Sequence, residues 1–107
     1  MDEPEISVVI PAYNEEGNIF FLYKKLSNVL KSLNKKYEII FVDDGSKDRS
    51  LEVLKKIKDK ALKIIVFRRN FGQTAALDAG FKHSKGKIII AMDADLQNDP
   101  EDIPRLK

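Results

Sequence analysis

Apolar positions along this chain alternate between two rhythms. Ile6-Ser7-Val8-Val9-Ile10 is a short β-branched run closed by Pro11, and it predicts a buried strand. Ile19, Leu22, Leu26, Val29 and Leu33 then recur at spacings of three and four, the stripe of an amphipathic helix. Tyr37 through Val42 is again strand-like and stops at the turn-rich cluster Asp43-Asp44-Gly45-Ser46. Ser46 is the expected cap of a second helix, with Leu51, Leu54, Ile57 and Ala61 facing one way. Leu62–Phe67 forms the third expected strand. A loop with Asn70-Phe71-Gly72 and a helix rich in small residues (Ala75, Ala76, Ala79, Gly80) follow it. Gly86 punctuates that helix, Lys87–Met92 forms a fourth strand, and Asp99-Pro100-Glu101 has the arrangement of a helix start.

The order β-α-β-α-β-α-β implies an α/β fold, a doubly wound parallel sheet covered on both faces. Right-handed crossovers favour the strand order 3-2-1-4. In that order the first and fourth strands are neighbours where the winding reverses, and ligands bind beyond the carboxyl ends of strands at such a point. The loops at Pro11–Glu16 and Met92–Asn98 are therefore expected to meet in one crevice, with Asp43-Asp44 one strand away.

Composition narrows the classes of function. With 107 residues the chain is about one small domain. Its 19 basic residues are interspersed with 17 acidic ones for a net charge of +2, which argues against a nucleic-acid partner. The basic stretches Lys55–Lys60 and Arg68–Arg69 read as a solvated helix face and a loop. The absence of cysteine excludes disulfides, thiolate metal sites and a cysteine nucleophile. No apolar run approaches the roughly 18 residues that span a bilayer. The acidic start Met1-Asp2-Glu3-Pro4-Glu5 is unlike a signal peptide, so a soluble, cytoplasmic chain is expected.

Three clusters carry candidate chemistry. Asp93-Ala94-Asp95 ends an apolar strand, and residues two apart in an extended segment face the same way. Such paired carboxylates suit Mg²⁺ or Mn²⁺, with Gln97 as a further oxygen donor; the same pair also serves to cap a following turn. Val42-Asp43-Asp44-Gly45-Ser46 sets acidic groups where a ribose or base is met in dinucleotide folds, or builds a tight turn. Pro11-Ala12-Tyr13-Asn14-Glu15-Glu16 offers Tyr13 to a base and Glu15 to its edge, or is a plain strand-to-helix loop. His83, the single histidine, falls near a helix end and reads as structural.

Together these residues resemble the family-2 glycosyltransferases of GT-A fold. The resemblance is carried by Val8-Val9-Ile10-Pro11-Ala12-Tyr13-Asn14-Glu15, Val42-Asp43-Asp44-Gly45-Ser46 and Asp93-Ala94-Asp95, in the family's order. Asn70-Phe71-Gly72-Gln73-Thr74-Ala75-Ala76-Leu77 and Leu96-Gln97-Asn98-Asp99-Pro100-Glu101 are similar to one branch. That branch includes dolichyl-phosphate mannose synthase and bacterial enzymes that glycosylate undecaprenyl phosphate. The resemblance implies an inverting transferase that moves a hexose from a UDP- or GDP-sugar to a polyprenyl phosphate lipid, aided by Mg²⁺ or Mn²⁺. It implies a nucleotide pocket of Pro11, Ala12, Tyr13, Glu15, Val42, Asp43 and Asp44, with Asp93 and Ala94 beside the diphosphate. Asp95 and Gln97 are then the metal ligands, joined by Asp93.

On this reading residues 1–107 are the N-terminal, donor-binding portion of a longer domain. The general base is expected beyond residue 107, so this fragment alone is expected not to turn over. The longer protein is expected at the cytoplasmic face of a membrane. The rival readings are a nucleotide-binding module without activity and a receiver-type signalling domain. A receiver needs a phosphoacceptor Asp with a nearby Lys, where this chain offers Asp-x-Asp-x-Gln. A dinucleotide dehydrogenase needs Gly-x-Gly-x-x-Gly after the first strand, which is missing here.

Overall fold

The computed structural model describes residues 3–94. Asp95, Gln97 and the helix start expected at Asp99 lie outside the described residues. In chain order the elements are β1 (Ile6–Ala12), α1 (Ile19–Ser32), β2 (Tyr37–Asp43), α2 (Ser50–Lys56), β3 (Leu62–Val66), α3 (Gln73–His83) and β4 (Ile88–Ala91). The four strands form one parallel sheet in the order β3-β2-β1-β4, as the alternation predicts.

Pleating divides the core. Ile6, Val8, Ile10 and Ala12 of β1 join Ile39 and Phe41 of β2 beneath Leu22 and Leu26 of α1 and Leu54 of α2. Val9, Ile40 and Val42 face the other way, against Ala76 of α3. The small residues of α3 permit a close approach. A Cβ added at Gly80 would lie 2.2 Å from Val9 Cγ1, so the helix backbone rests directly on the Val9 side chain of β1. The edge strand β4 is thinly covered, with Ile88 41% and Ile89 44% exposed.

Buried polar groups lace the amino-terminal end of the sheet on the α3 face. Glu38, 3% exposed, accepts the Ser7 hydroxyl at 2.6 Å and the Lys85 N–H at 2.7 Å. Its second oxygen, Oε1, lies 2.6 Å from the Lys63 ammonium in an ion pair rather than a directed hydrogen bond. Ser7 Oγ in turn accepts the Gly86 N–H at 2.8 Å. Burial alone raises the Glu38 pKa, but the Lys63 ammonium and the bonds from Ser7 and Lys85 outweigh it and hold the carboxyl below its ordinary range.

Three local expectations change. The first strand does not stop at Pro11 but runs on to Ala12 beside β2. The Ala12 carbonyl accepts the Asp44 N–H and the Val9 carbonyl accepts the Met92 N–H, so alternate residues of β1 serve opposite neighbours. Pro11 thus faces the β4 side, where pairing has already ended at Ala91, and its missing N–H interrupts only that ladder. The second helix starts at Ser50 rather than after Ser46, and its first N–H is met by Asp48 Oδ1 at 2.8 Å. That helix also ends early, at Lys56, and Ala61 lies outside it. Asp59 Oδ1 accepts the Ala61 N–H at 2.9 Å, a local turn that competes with further helix. Asp59 Oδ2 meanwhile receives the Tyr23 hydroxyl at 2.5 Å and ties α1 to that turn.

Candidate functional site

A cavity of about 480 Å³ opens at the carboxyl ends of β1 and β4, where the winding reverses. Pro11, Ala12, Tyr13 and Glu15 form one wall, and Asp93 and Ala94 form the opposite one. Asp44, Asn70, Gly72 and Gln73 close the side nearest α3. The loop after β1 meets Asp93 and Ala94 there, the described part of the second loop expected at this point.

The first wall is stitched to the loop after β2. Asn14 adopts the left-handed conformation (φ 53°), and its Oδ1 accepts the Lys47 N–H at 2.8 Å and the Asp48 N–H at 3.3 Å. In return the Asn14 N–H donates to Ser46 Oγ, the Glu15 N–H to Ser50 Oγ and the Glu16 N–H to Asp48. Ser46 therefore serves the neighbouring loop, not the helix it was expected to cap. The Asp48 carboxyl sits below its ordinary range because the bonds it accepts from Ser50 and Glu16 outweigh its desolvation. Tyr13 stays 39% exposed at the rim, and Glu15 accepts the Asn18 side-chain amide at 3.0 Å.

Asp93, half-buried, accepts the Gln73 side-chain amide at 3.2 Å. Two expected residues do not line the cavity. Val42 is fully buried in the apolar cluster under α3, and Asp43, 2% exposed, points to the other face and accepts the Ser46 N–H at 3.4 Å. Conversely, Asn70, Gly72 and Gln73 line the cavity although the sequence was read for them only as a family likeness. A Gly at the start of a helix that follows a strand was the available signal. Arg68 and Arg69 are exposed, as expected; the Arg69 guanidinium lies 4.8 Å from the centre of the Phe71 ring. His83 Nδ1 bonds to the Ala79 carbonyl at the end of α3, a structural role.

Chemically this is a polar crevice rimmed by carboxylates and one aromatic ring, large enough for part of a nucleotide. Glu15 and Asp93 bring hard oxygen donors to one space, the donor type that suits a divalent cation. Among the described residues no group of three or more His, Asp or Glu side chains converges to hold one. Also among the described residues, no helix is long and apolar enough to cross a membrane.

The family model described as "Glycosyl transferase family 2" matches residues 7–107. The chain belongs to glycosyl transferase family 2. Among family relatives, the undecaprenyl-phosphate 4-deoxy-4-formamido-L-arabinose transferase of Pseudomonas paraeruginosa is 47% identical over 104 residues. That alignment covers 94% of this chain and 31% of the relative. The enzyme of the same name from Salmonella choleraesuis is 47% identical over 105 residues, covering 95% and 32%. The chain thus spans about a third of the length of these relatives.

Solved structures agree with the family and its GT-A fold. A segment of S. aureus TarS in complex with UDP-GlcNAc superposes with a TM-score of 0.78 at 25% identity, covering 95% of this chain and 30% of that one. A mannosyltransferase from Pyrobaculum calidifontis, in complex with GDP-Man and Mn²⁺, superposes with a TM-score of 0.70 at 27% identity, covering 89% and 28%.

Proposed function

We propose that residues 1–107 form the donor-binding part of a glycosyltransferase that takes a UDP- or GDP-sugar with Mg²⁺ or Mn²⁺ and glycosylates a polyprenyl phosphate. The observation that carries the reading is the carboxylate-rimmed crevice at the switch point of β1 and β4, in a member of this family. Tyr13 lies where a base can stack against it, and Glu15 where it accepts hydrogen bonds from the base or ribose. Pro11 and Ala12 shape the floor. Asp93 and Ala94 face the diphosphate.

The carboxylates present suit a divalent cation, and Asp93, with Asp95 and Gln97 assigned by their places two and four residues further along, would hold it. Such a cation neutralises the charge that builds on the departing nucleoside diphosphate. The bond between the anomeric carbon and the diphosphate oxygen breaks as an acceptor phosphate oxygen bonds from the opposite face, with inversion. A phosphate monoester has its second pKa near 6, so the attacking oxygen is largely ionised at neutral pH and makes a modest demand on any base. The transferred unit is a hexose or, following the relatives' name, a deoxy-formamido-pentose. An acceptor of this kind sets the working position at a membrane surface, for which we propose the cytoplasmic face.

Calorimetric titration of UDP and GDP, with Mn²⁺ and with EDTA, tests the reading on the unaltered chain, Asp93→Ala and Asp95→Ala. Metal-dependent binding of one nucleotide, weakened in both variants, is expected. No binding of either nucleotide by the folded chain would refute the proposal.

A further inference from the structure

The first turn of α1 breaks the rule that its apolar residues face the sheet. Ile19, Leu22, Tyr23, Leu26 and Leu30 are buried, yet Phe20 and Phe21 between them stand 54% and 60% exposed. Phe20 leans on Tyr23, with ring centroids 6.4 Å apart, and Phe21 is the more open of the two. Single apolar side chains at a surface are ordinary, but two adjacent phenyl rings make a patch that water disfavours.

Positive charge surrounds that patch. Lys24 lies four residues after Phe20 and three after Phe21, so it is exposed on their side of the helix. Lys25 and Lys31 follow, and no acidic residue occurs from Ile19 to Ser32. Lys47 and Arg49, in the loop stitched to this end of the sheet, are exposed as well. The nearest acids spend oxygens on local N–H groups: Glu15 on the Asn18 side-chain amide at 3.0 Å, Glu16 on the Arg49 N–H at 3.4 Å, and Asp48 on those of Ser50 and Glu16.

The patch is also fixed to the crevice. The Asn18 and Ile19 N–H groups both donate to the Glu15 carbonyl, at 2.9 and 3.1 Å, and Glu15 lines the cavity. The two rings therefore sit at the same end of the sheet as the crevice and at a set angle to it. We propose that Phe20 and Phe21 enter the headgroup region of an anionic membrane, with Lys24 one turn behind among the lipid phosphates, and so hold the crevice at the lipid surface. Aromatic rings backed by lysines anchor a surface to a bilayer interface without spanning it. The choice of a membrane as partner rests on the polyprenyl-phosphate reading above, since an acceptor whose tail lies in the bilayer presents its phosphate only at that surface.

The chain has no tryptophan, so Phe21→Trp places a single reporter at the patch and Lys55→Trp a single reporter on the exposed side of α2. Both are titrated without nucleotide into vesicles of equal parts phosphatidylglycerol and phosphatidylcholine, with plain and with brominated acyl chains. The Phe21→Trp emission should shift to the blue and be quenched by the brominated lipid, and the Lys55→Trp emission should do neither. In sedimentation with the plain vesicles, the double variant Phe20→Ser, Phe21→Ser and the single variant Lys24→Glu should each bind about fivefold more weakly or worse, whereas Lys55→Glu should change binding by less than about twofold. Absence of binding by the folded chain overturns the proposal, as does equal quenching of the two reporters or an equal loss from Lys24→Glu and Lys55→Glu. Self-association that the double Phe variant abolishes, with the Phe21→Trp emission untouched by lipid, overturns it in favour of a second copy of the chain. Titration of UDP and GDP is read separately. Vesicle binding without nucleotide binding sinks the donor-site reading alone, and nucleotide binding without vesicle binding sinks the membrane face alone.

Discussion

Glu38→Ala cuts three ties at once. Lys63, whose side chain is 45% exposed, regains water when its partner goes, and the Lys85 N–H lies near the surface and does likewise. Ser7 has no such recourse. It is fully buried, and its hydroxyl keeps only the bond it accepts from the Gly86 N–H, so its proton is left without an acceptor. A stranded buried donor costs about 1–3 kcal/mol, and bonds to a charged group are worth about 1.5–3 kcal/mol each. Relief of the carboxylate's own desolvation offsets part of this. The balance is a loss of about 2–4 kcal/mol, a large share of the roughly 5–15 kcal/mol typical of a folded domain.

Glu38→Gln retains an oxygen for Ser7 and Lys85 and gives up mainly the ion pair, so about 1 kcal/mol is expected. Urea unfolding followed by circular dichroism measures both. The pH dependence supplies a second signature. The Glu38 pKa is held below its ordinary 4.5 in the folded chain, so its contribution is complete above that pH and is lost as pH falls through the folded value. Glu38→Gln should flatten that acid limb. An alanine variant within about 0.5 kcal/mol of the unaltered chain would show that the network is decorative.

Three further outcomes follow from contacts already described. Burial first, and then the bond to Asp59, push the Tyr23 hydroxyl up to about 12, so its contribution is intact below pH 10 and fades as pH rises toward 12. Tyr23→Phe should therefore lose less stability than the unaltered chain between about pH 10 and pH 12 in urea titrations. Gly80→Ala forces a methyl group onto Val9. Overpacking costs about 1–3 kcal/mol, against a helix gain near 1 kcal/mol, so a net loss is expected. Val9→Ala added to it should relieve the clash, read as a non-additive double-mutant cycle of unfolding free energies. At Asn14, Ala loses both the acceptor for Lys47 and Asp48 and the ease of the left-handed backbone, whereas Gly loses only the first. Asn14→Ala should thus melt below Asn14→Gly, the difference being about 1 kcal/mol.

The sheet and its order were legible because β-branched runs and three-to-four spacing are direct images of which faces are buried. The crevice followed from topology before any side chain was considered. What pattern did not show is where polar side chains spend their hydrogen bonds. Ser46 looked like a cap and instead serves Asn14, because Asp48 lies closer to the helix start. Asp59 gave no apolar signal, yet its turn sets the end of α2. Glu38 stood as a lone acid in an apolar strand and was passed over, although an ionisable residue in such a place demands partners. Asn70, Gly72 and Gln73 reach the crevice because the Phe71 and Gly72 N–H groups find the Asp44 carboxylate just after β2, a long-range event that local periodicity does not encode.

The stitching between the loops after β1 and β2 has a consequence for any guest. Asn14, Glu15, Glu16, Lys47 and Asp48 all give backbone N–H groups to side chains of the opposite loop or its following helix. The entropy of ordering that wall is thus spent when the chain folds and is not spent again on capture. A rigid wall leaves arrival rates much alike for related guests and sorts them by how long each remains. Softening the stitches with heat or mutation should then shorten residence well before the sheet itself gives way.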